Sequence, residues 1–302
     1  MFKNLIKPIS VAVTNKVLDL LFIAPIALLP HHLLSRVIHR ITRSTNRTIS
    51  QFLISKVCRA YNIDLSIAKE SDPKQYLSFN LFFTRQLKID ARPITATIDA
   101  VISPVDGAVS QCGKIHKESI LQAKGHNFSL TTLLGGVAER ATQFNNGLFS
   151  TIYLSPKDYH RIHMPLDGTL KEMVYIPGRL YPVNNPSART VPGLFARNER
   201  VAVIFDTEAG PMAMVLVGAL FVGSIETVWA GEITPPQRGF VHYWRYSGDS
   251  ALTLKKGEEM GRFNMGSTVI LLFGESAVKF KQELKTGAEL KMGKQIGTMQ
   301  PL

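Results

Sequence analysis

The 302-residue sequence predicts an α+β protein, with a helical amino-terminal region over residues 1–90 and a β-rich core over residues 91–302. Before residue 90 the apolar residues recur at helical spacing, and from about residue 94 they fall into short runs punctuated by glycine and proline. A composition of 45% hydrophobic and 19% charged residues suffices for one large core or two modest ones and excludes a disordered chain.

The helical elements come first. After Pro30, Leu34, Val37, Ile38 and Ile41 gather on one face at helical spacing, while Arg36, Arg40, Arg43 and Arg47 fall on the other. Such a basic amphipathic helix suits a membrane interface, and it equally suits a surface helix packed on the protein's own core. The adjoining apolar run from Leu20 to Leu29 favours membrane contact. A second helix covers Phe52 to Ala60. A third follows Ser71-Asp72-Pro73, an N-cap with proline in the first turn, and carries an aromatic stripe of Tyr76, Phe79 and Phe83 that belongs to the core. Lys88 to Pro93 leads out of the helices.

Leu148–Leu154, Val201–Phe205, Met212–Phe221 and Val269–Phe273 read as strands. Two segments echo each other, LKKGEEMG (254–261) and LKMGKQIG (290–297), each a tight turn leading into a strand, and together they suggest a repeated pair of hairpin-like units. Gly218 and Gly223 suit close strand packing, since no GxxxxGK[ST] pattern is present to cradle phosphate.

The 35 Lys+Arg against 23 Asp+Glu give +12, which implies an anionic partner without choosing among nucleic acid, lipid surface and acidic metabolite. Cys58 and Cys112 form no CxxC pair, so a disulfide framework or cysteine-based zinc site is not expected, and a reducing compartment is. The MFKNLIKPIS start lacks a cleavage signature. Leu20–Leu29, broken by Pro25, is about half of the roughly 20 residues a spanning helix needs, so neither a secretory signal nor a transmembrane segment is expected.

Three stretches pair a reactive side chain with backbone-breaking neighbours: Ser-Pro-Val-Asp106-Gly, Tyr-His160-Arg-Ile-His163-Met-Pro and Asn-Met-Gly266-Ser267-Thr268. A serine hydroxyl needs a base, and a histidine serves best beside a carboxylate, roles that Asp106, His163 and Ser267 can fill. Taken alone, Asp106 before Gly107 is a turn residue. His160 and His163 spaced as HxxH also match a metal pair, but no third ligand cluster accompanies them, and no metal is expected. His126, Gly125 and Glu226 fit either a pocket lining or loop support.

The runs SPVDGAVS (103–110), LQAKGHNFSL (121–130), YLSPKDYHRIHMP (153–165), LFARNERV (194–201), GSIETVWAG (223–231) and GRFNMGSTVILLF (261–273) resemble, in wording and order, the bacterial type of the phosphatidylserine decarboxylase family. The resemblance spans roughly residues 60–300 and includes the family's cleavage tripeptide; Met265 stands where the family more often has leucine, a swap of similar volume.

The resemblance implies a pyruvoyl-dependent proenzyme cut without hydrolysis between Gly266 and Ser267. Asp106, His163 and Ser267 would form the charge-relay set for self-cleavage, with Ser267 the precursor of the pyruvoyl cofactor and His160 the candidate proton donor. The products would be a large chain (1–266) and a small chain (267–302), held as a heterodimer with room for a higher oligomer. The ketone would form a Schiff base with phosphatidylserine and release phosphatidylethanolamine. The implied partners are that lipid and an anionic membrane surface, not nucleic acid. The implied location is peripheral, on the cytoplasmic face of the cell membrane, with helices 1–90 associating with the bilayer and the β-rich core catalytic. A Ser-His-Asp hydrolase, for which no GxSxG elbow is present, and a non-catalytic lipid-surface binding protein are the alternatives.

Overall fold

The computed structural model describes residues 19, 23–26, 28–123, 125–220, 224–234, 239–265 and 268–301. Gly266 and Ser267, like Phe221, Gly223, residues 1–10 and part of the Leu20–Leu29 run, lie outside the described residues. The architecture is α+β, with the longest helices before residue 84, strands beginning at Ala100, and short helices among them at Leu130–Leu133, Ala138–Thr142, Asn185–Thr190 and Leu194–Arg197.

Helix α1 (His31–Arg43) follows Pro30, and α2 (Arg47–Tyr61) starts at Asn46, whose side chain accepts from the Thr48 and Ile49 N–H groups. It ends at Asn62, which takes the left-handed conformation that stops a helix. The expected third helix is two pieces. Asp72 caps a 3-10 turn, Pro73–Gln75, and Ser78 then turns extended and caps a new helix, α3 (Phe79–Phe83). Each short polar side chain satisfies a fresh start, so the chain restarts instead of continuing. The aromatic stripe is core, as expected: Tyr76, Phe79, Phe82 and Phe83 bury themselves with Ile54.

The orientation of α1 departs from a packed surface helix. His31, Ser35 and Thr42 are buried, whereas Leu33, Val37 and Ile41 are 54%, 46% and 39% exposed. Among the described residues, neither these three nor Leu34 and Ile38 join a buried apolar cluster. Polar groups fasten the helix: His32 Nε2 donates to Gly178 O at 2.9 Å, and His39 and Arg43 both reach Glu232, at 2.7 and 2.9 Å. Among the described residues, no helix is long and apolar enough to cross a membrane.

The strands are β1 (Ala100–Ile102), β2 (Gly107–Lys114), β3 (Ser119–Ala123), β4 (His126–Ser129), β5 (Leu148–Tyr153), β6 (Arg161–His163), β7 (Gly168–Ile176), β8 (Arg200–Thr207) and β9 (Gly210–Val217). Then follow β10 (Ile225–Thr227), β11 (Gly231–Glu232), β12 (His242–Arg245), β13 (Thr253–Leu254), β14 (Glu259–Phe263), β15 (Thr268–Phe273), β16 (Val278–Phe280), β17 (Glu289–Leu290) and β18 (Gln295–Met299). A large antiparallel sheet runs β12-β7-β8-β9-β15-β5-β2-β17, with β13 on β7. Along β15, Val269, Leu271 and Phe273 enter one apolar cluster and Ile270 and Leu272 another, so the sheet is covered on both faces. That double burial is why its strands read as unbroken apolar runs. Gly218, directly after β9, is closely packed: an added Cβ would meet Glu199 O at 3.0 Å.

The echo between residues 254–261 and 290–297 extends to tertiary structure, but neither unit is a hairpin. β13 belongs to the large sheet while β14 pairs with β6 and β10; β17 likewise belongs to the large sheet while β18 pairs with β1 and β16. Each unit is an arch between sheets, because the turn glycine spends its N–H on a third segment: Gly257 donates to Met164 O and Gly293 to Ser103 O. Those acceptors open a second echo, SPVDG (103–107) and MPLDG (164–168). The small sheets β16-β18-β1 and β10-β14-β6 thus correspond strand for strand, with β11 extending the second.

Gly293 lies at φ 85°, and a Cβ there would meet Pro93 O at 2.6 Å. We expect Gly293→Ala to cost about 2 kcal/mol or more, read from the denaturant midpoint. Gly231→Ala, at φ 67° with open space, should cost about 1 kcal/mol; equal losses would remove the close-approach argument.

Candidate active site

The two echoes meet at their centre. His163 N–H donates to Pro104 O at 2.9 Å and Ile102 N–H to Pro165 O at 3.1 Å, a reciprocal exchange that lays the Asp106 loop against the His163 strand. The echoing turns then hold the two side chains. Met292 N–H, before Gly293, donates to Asp106 Oδ1 at 2.9 Å, and Gly257 O accepts from His163 Nδ1 at 2.8 Å.

Asp106 is 1% exposed and strongly occupied. Arg92 grips it with both arms, Nε to Oδ1 at 2.8 Å and Nη2 to Oδ2 at 2.5 Å, and Lys291 Nζ stands 3.4 Å from Oδ2. Burial pushes its pKa up, but the Arg92 and Met292 hydrogen bonds and both cations outweigh it, so the carboxyl titrates below its ordinary range. The counterpart in the other half, Asp167, is half exposed; it accepts from Lys256 N–H at 2.7 Å and Lys255 Nζ at 2.9 Å.

His163 makes no hydrogen bond to Asp106. A carbonyl only accepts, so the contact with Gly257 O places the proton on Nδ1 and leaves the lone pair on Nε2. That lone pair meets the Tyr159 hydroxyl at 3.1 Å. Burial lowers the pKa of His163, partly opposed by the Gly257 bond and by the charges of Glu259 and Asp106. The ring is therefore a neutral base at pH 7 with its basic atom turned to Tyr159.

His160 is fully buried and stacks on Phe83, the ring centroids 4.1 Å apart. Its Nε2–H donates to Ser155 O at 3.1 Å, a carbonyl held in place because Asp158 accepts from Ser155 N–H and Oγ–H at 2.8 and 2.7 Å. Nδ1 is buried without a partner. Burial, then the charge of Arg85, carries its pKa down to about 3. In this arrangement His160 offers an acceptor atom. The two histidines have separate partner sets, and among the described residues no group of three or more His, Cys, Asp or Glu could hold a metal ion.

Gly266 and Ser267 lie outside the described residues, but their approaches are defined. β14 runs antiparallel to β6, with Glu259 opposite His163 and Phe263 N–H donating to His160 O at 3.0 Å. β15 begins at Thr268, between Tyr153 on β5 and Val217 on β9; Thr268 is buried and its Oγ1 has no partner. Met265 borders a cavity of about 280 Å³ lined by Val57, Tyr61, Phe79, Phe83 and Tyr153 among others. His126 bonds Arg189 O, and Glu226 lies 3.4 Å from Arg262.

Sequence reasoning missed Arg92 and Tyr159. Arg92 sits in the stretch read as an exit from the helices, and Tyr159 lies four residues before His163 inside a quoted motif. The echo of SPVDG with MPLDG was the available signal for the shared frame.

A protein-family profile described as "Phosphatidylserine decarboxylase" matches residues 79–298, and another described as "PSD" matches residues 21–62. The chain is 53% identical over 282 residues to a phosphatidylserine decarboxylase proenzyme of Ectopseudomonas mendocina, covering 93% of this chain and 98% of that one. It is 55% identical over 267 residues to the proenzyme of the same name in Idiomarina loihiensis, with 88% and 91% covered. For that of Bordetella pertussis the figures are 54% over 280 residues, with 92% and 94% covered.

The depressed pKa of His160 has a signed consequence for stability. The unfolded chain takes up a proton near pH 6.5 and the folded chain only near 3, so His160 makes stability fall as pH drops through that window. Buried Glu199, whose pKa burial raises, acts in the opposite sense above its ordinary value. We therefore compare wild type with His160→Asn: the wild-type slope between pH 4 and 6 should be steeper by about 1.4 kcal/mol per pH unit. Parallel slopes would mean that the folded state protonates His160 freely.

Proposed function

The chain belongs to the phosphatidylserine decarboxylase family, and on that premise we propose that it severs itself between Gly266 and Ser267 and decarboxylates phosphatidylserine to phosphatidylethanolamine at a membrane surface. The observation that carries the proposal is the anchorage of the described residues on both sides of Gly266-Ser267: β14 runs along the His160–His163 segment up to Phe263, and β15 begins at Thr268.

In the first stage, His163 Nε2 removes the Ser267 Oγ proton, in place of its bond to Tyr159, and Oγ attacks the Gly266 carbonyl carbon. The C–N bond breaks, the proton passes to the Ser267 nitrogen, and the amide has become an ester. Loss of the Ser267 Cα proton expels the Gly266 carboxylate. The remaining dehydroalanine takes up water and releases ammonia, leaving a pyruvoyl group at the head of a chain of 302 − 266 = 36 residues. Asp106 serves through its charge, which favours the His163 cation, because its oxygens are engaged by Arg92 and Met292 N–H.

The surroundings suit a ketone. Thr268 Oγ1 is a buried donor without a partner, and His160 Nδ1 a buried acceptor without one. The pyruvoyl group supplies an electron sink for the pair released as carbon dioxide departs. The phosphate and carboxylate of the bound substrate bring negative charge that raises the basicity of His160 above its value of about 3 in the free site, so that Nδ1 takes a proton from the substrate ammonium, freeing the amine, and returns it to the substrate carbon. The cavity beside Met265, walled by Tyr61, Phe79, Phe83 and Tyr153, is mainly apolar and sized for a short stretch of acyl chain next to this chemistry.

The inverted packing of α1 supports the membrane part of the reading. Its polar face is spent on the protein, and its apolar residues Leu33, Val37 and Ile41 face outward with Phe52 of α2. The four arginines do not form one lipid-facing row as the helical projection suggests. Arg43 is taken by Glu232 and Arg47 donates to Lys74 O, whereas Arg36 bonds back to its own helix and Arg40 is exposed.

Intact mass of the purified protein tests the central claim: two chains split at Gly266/Ser267, the smaller blocked at its amino terminus and reactive to carbonyl reagents. A single chain with native Ser267 after prolonged incubation would refute it. Ser267→Ala and His163→Ala should each leave the chain uncut. For the membrane claim, Leu33→Gln/Val37→Gln or Arg36→Gln/Arg40→Gln should weaken co-sedimentation with anionic vesicles, by roughly 1 kcal/mol per arginine; unchanged sedimentation would count against it.

A further inference from the structure

We infer that Asn264, Ser224 and Arg43 form a clamp that positions the Gly266 carbonyl for self-cleavage, and that through it the seating of helix α1 governs the rate of that step. The inference rests on the self-cleavage proposed above and assigns positioning roles to residues outside the relay set.

Asn264 is, among the described residues, the last before the cleavage tripeptide whose side chain is hydrogen-bonded; Met265 after it packs against two apolar clusters. Asn264 is 1% exposed. Its backbone N–H donates to Ser224 O at 2.9 Å, its Nδ2 donates to Ser224 Oγ, and its Oδ1 accepts from Asn80 Nδ2 of α3 at 3.2 Å. Ser224, equally buried, also accepts from Arg43 Nη2 of α1 at 3.3 Å. Arg43 in turn donates to Glu232 on β11, the carboxylate that also holds His39. Two residues from the amino-terminal helices therefore bear on a buried amide two positions before Gly266, Asn80 directly and Arg43 through Ser224.

The chemistry needs such a hold. Attack by Ser267 Oγ on the neighbouring carbonyl requires the carbonyl to stand about 3–3.5 Å from the oxygen at the right angle, and a displacement near 1 Å costs on the order of a hundredfold in rate. Downstream, β15 fixes Thr268 by pairing on both sides. Upstream, regular pairing of β14 ends at Phe263, and the Asn264 backbone N–H and side-chain amide extend the restraint one residue further through Ser224. Arg43 presses on that restraint from α1, the helix whose outward face is apolar. A lipid surface that holds α1 down thereby holds Ser224 and Asn264 in place.

The experiment is a time course of self-cleavage in freshly translated full chain, followed by the appearance of the 1–266 and 267–302 fragments, with and without anionic phospholipid vesicles. We expect Asn264→Ala, Ser224→Ala and Arg43→Gln to slow cleavage about tenfold or more, Ser224→Thr to restore most of the rate, and vesicles to accelerate wild type but not Arg43→Gln. Hydroxylamine splits an ester and spares an amide, so slowed variants should resist it, marking the fault at acyl transfer. Folding is read by thermal melting in a Ser267→Ala background. If Asn264→Ala proves unfolded there, the half-exposed Arg43→Gln and the Ser224→Ala/Ser224→Thr pair decide the matter. A wild type that never cuts would defeat the proposed function itself. A wild type that cuts while the folded variants cut equally fast, or a Ser224→Thr no better than Ser224→Ala, would overturn the clamp, as would a vesicle effect retained by Arg43→Gln.

Discussion

The exchange between His163 N–H and Pro104 O, mirrored by Ile102 N–H and Pro165 O, is the constraint around which the β-rich part is arranged. Two segments with nearly the same wording, SPVDG and MPLDG, lie side by side, each closed by a glycine turn from its own arch. Because every donor in this crossing is a backbone group, the frame tolerates different side chains at equivalent positions. It therefore permits one half to present Ile102 where the other presents His163, and one half to expose Asp167 where the other buries Asp106. A duplicated scaffold supplies precision, and the departures from symmetry supply the groups that the proposed chemistry uses.

Those departures also settle how charge is distributed. Asp106 sits in the low-dielectric half and would be costly there without compensation, which Arg92 provides through two parallel hydrogen bonds. Together with Met292 N–H and Lys291, that pairing occupies both Asp106 oxygens, and the tautomer of His163 is set instead by a carbonyl of the echoing turn at Gly257. Carboxylate and imidazole thus communicate through space and through the shared backbone frame. The familiar picture of a direct aspartate–histidine bond does not describe this geometry, although the sign of the effect on His163 is the same.

The strands and motif residues were legible because they are local: apolar runs such as Val269–Phe273 and the wording around Asp106, His160 and His163 declare themselves within a few residues. The partners of those residues were not. Arg92 lies fourteen positions from Asp106, and Gly257 ninety-four from His163, so only the fold joins them. The turn echo was visible, but its reading as hairpins failed because pairing partners are a tertiary property; the N–H of each turn glycine goes to a third segment. For α1 the periodicity gave two faces and no means of choosing which one meets the protein. The choice is made by His32, His39 and Arg43, each of which finds an acceptor far away in sequence.

That choice carries energetic weight. A surface helix ordinarily gains its stability by burying its apolar stripe, and α1 forgoes that gain, relying on hydrogen bonds and ion pairs of which several are partly exposed. Partly exposed ion pairs contribute little individually, so the helix is held loosely by the protein alone. An apolar surface laid over Leu33, Val37 and Ile41 would add the missing burial, at about 25 cal/mol per Å². The groups that gain most from that added hold are the ones at the inner end of the helix, Arg43 and through it Ser224. On the proposed reading, the weakly held element and the segment to be cut lie on one hydrogen-bonded path, through Arg43, Ser224 and Asn264, by which a bilayer would bear on the chemistry.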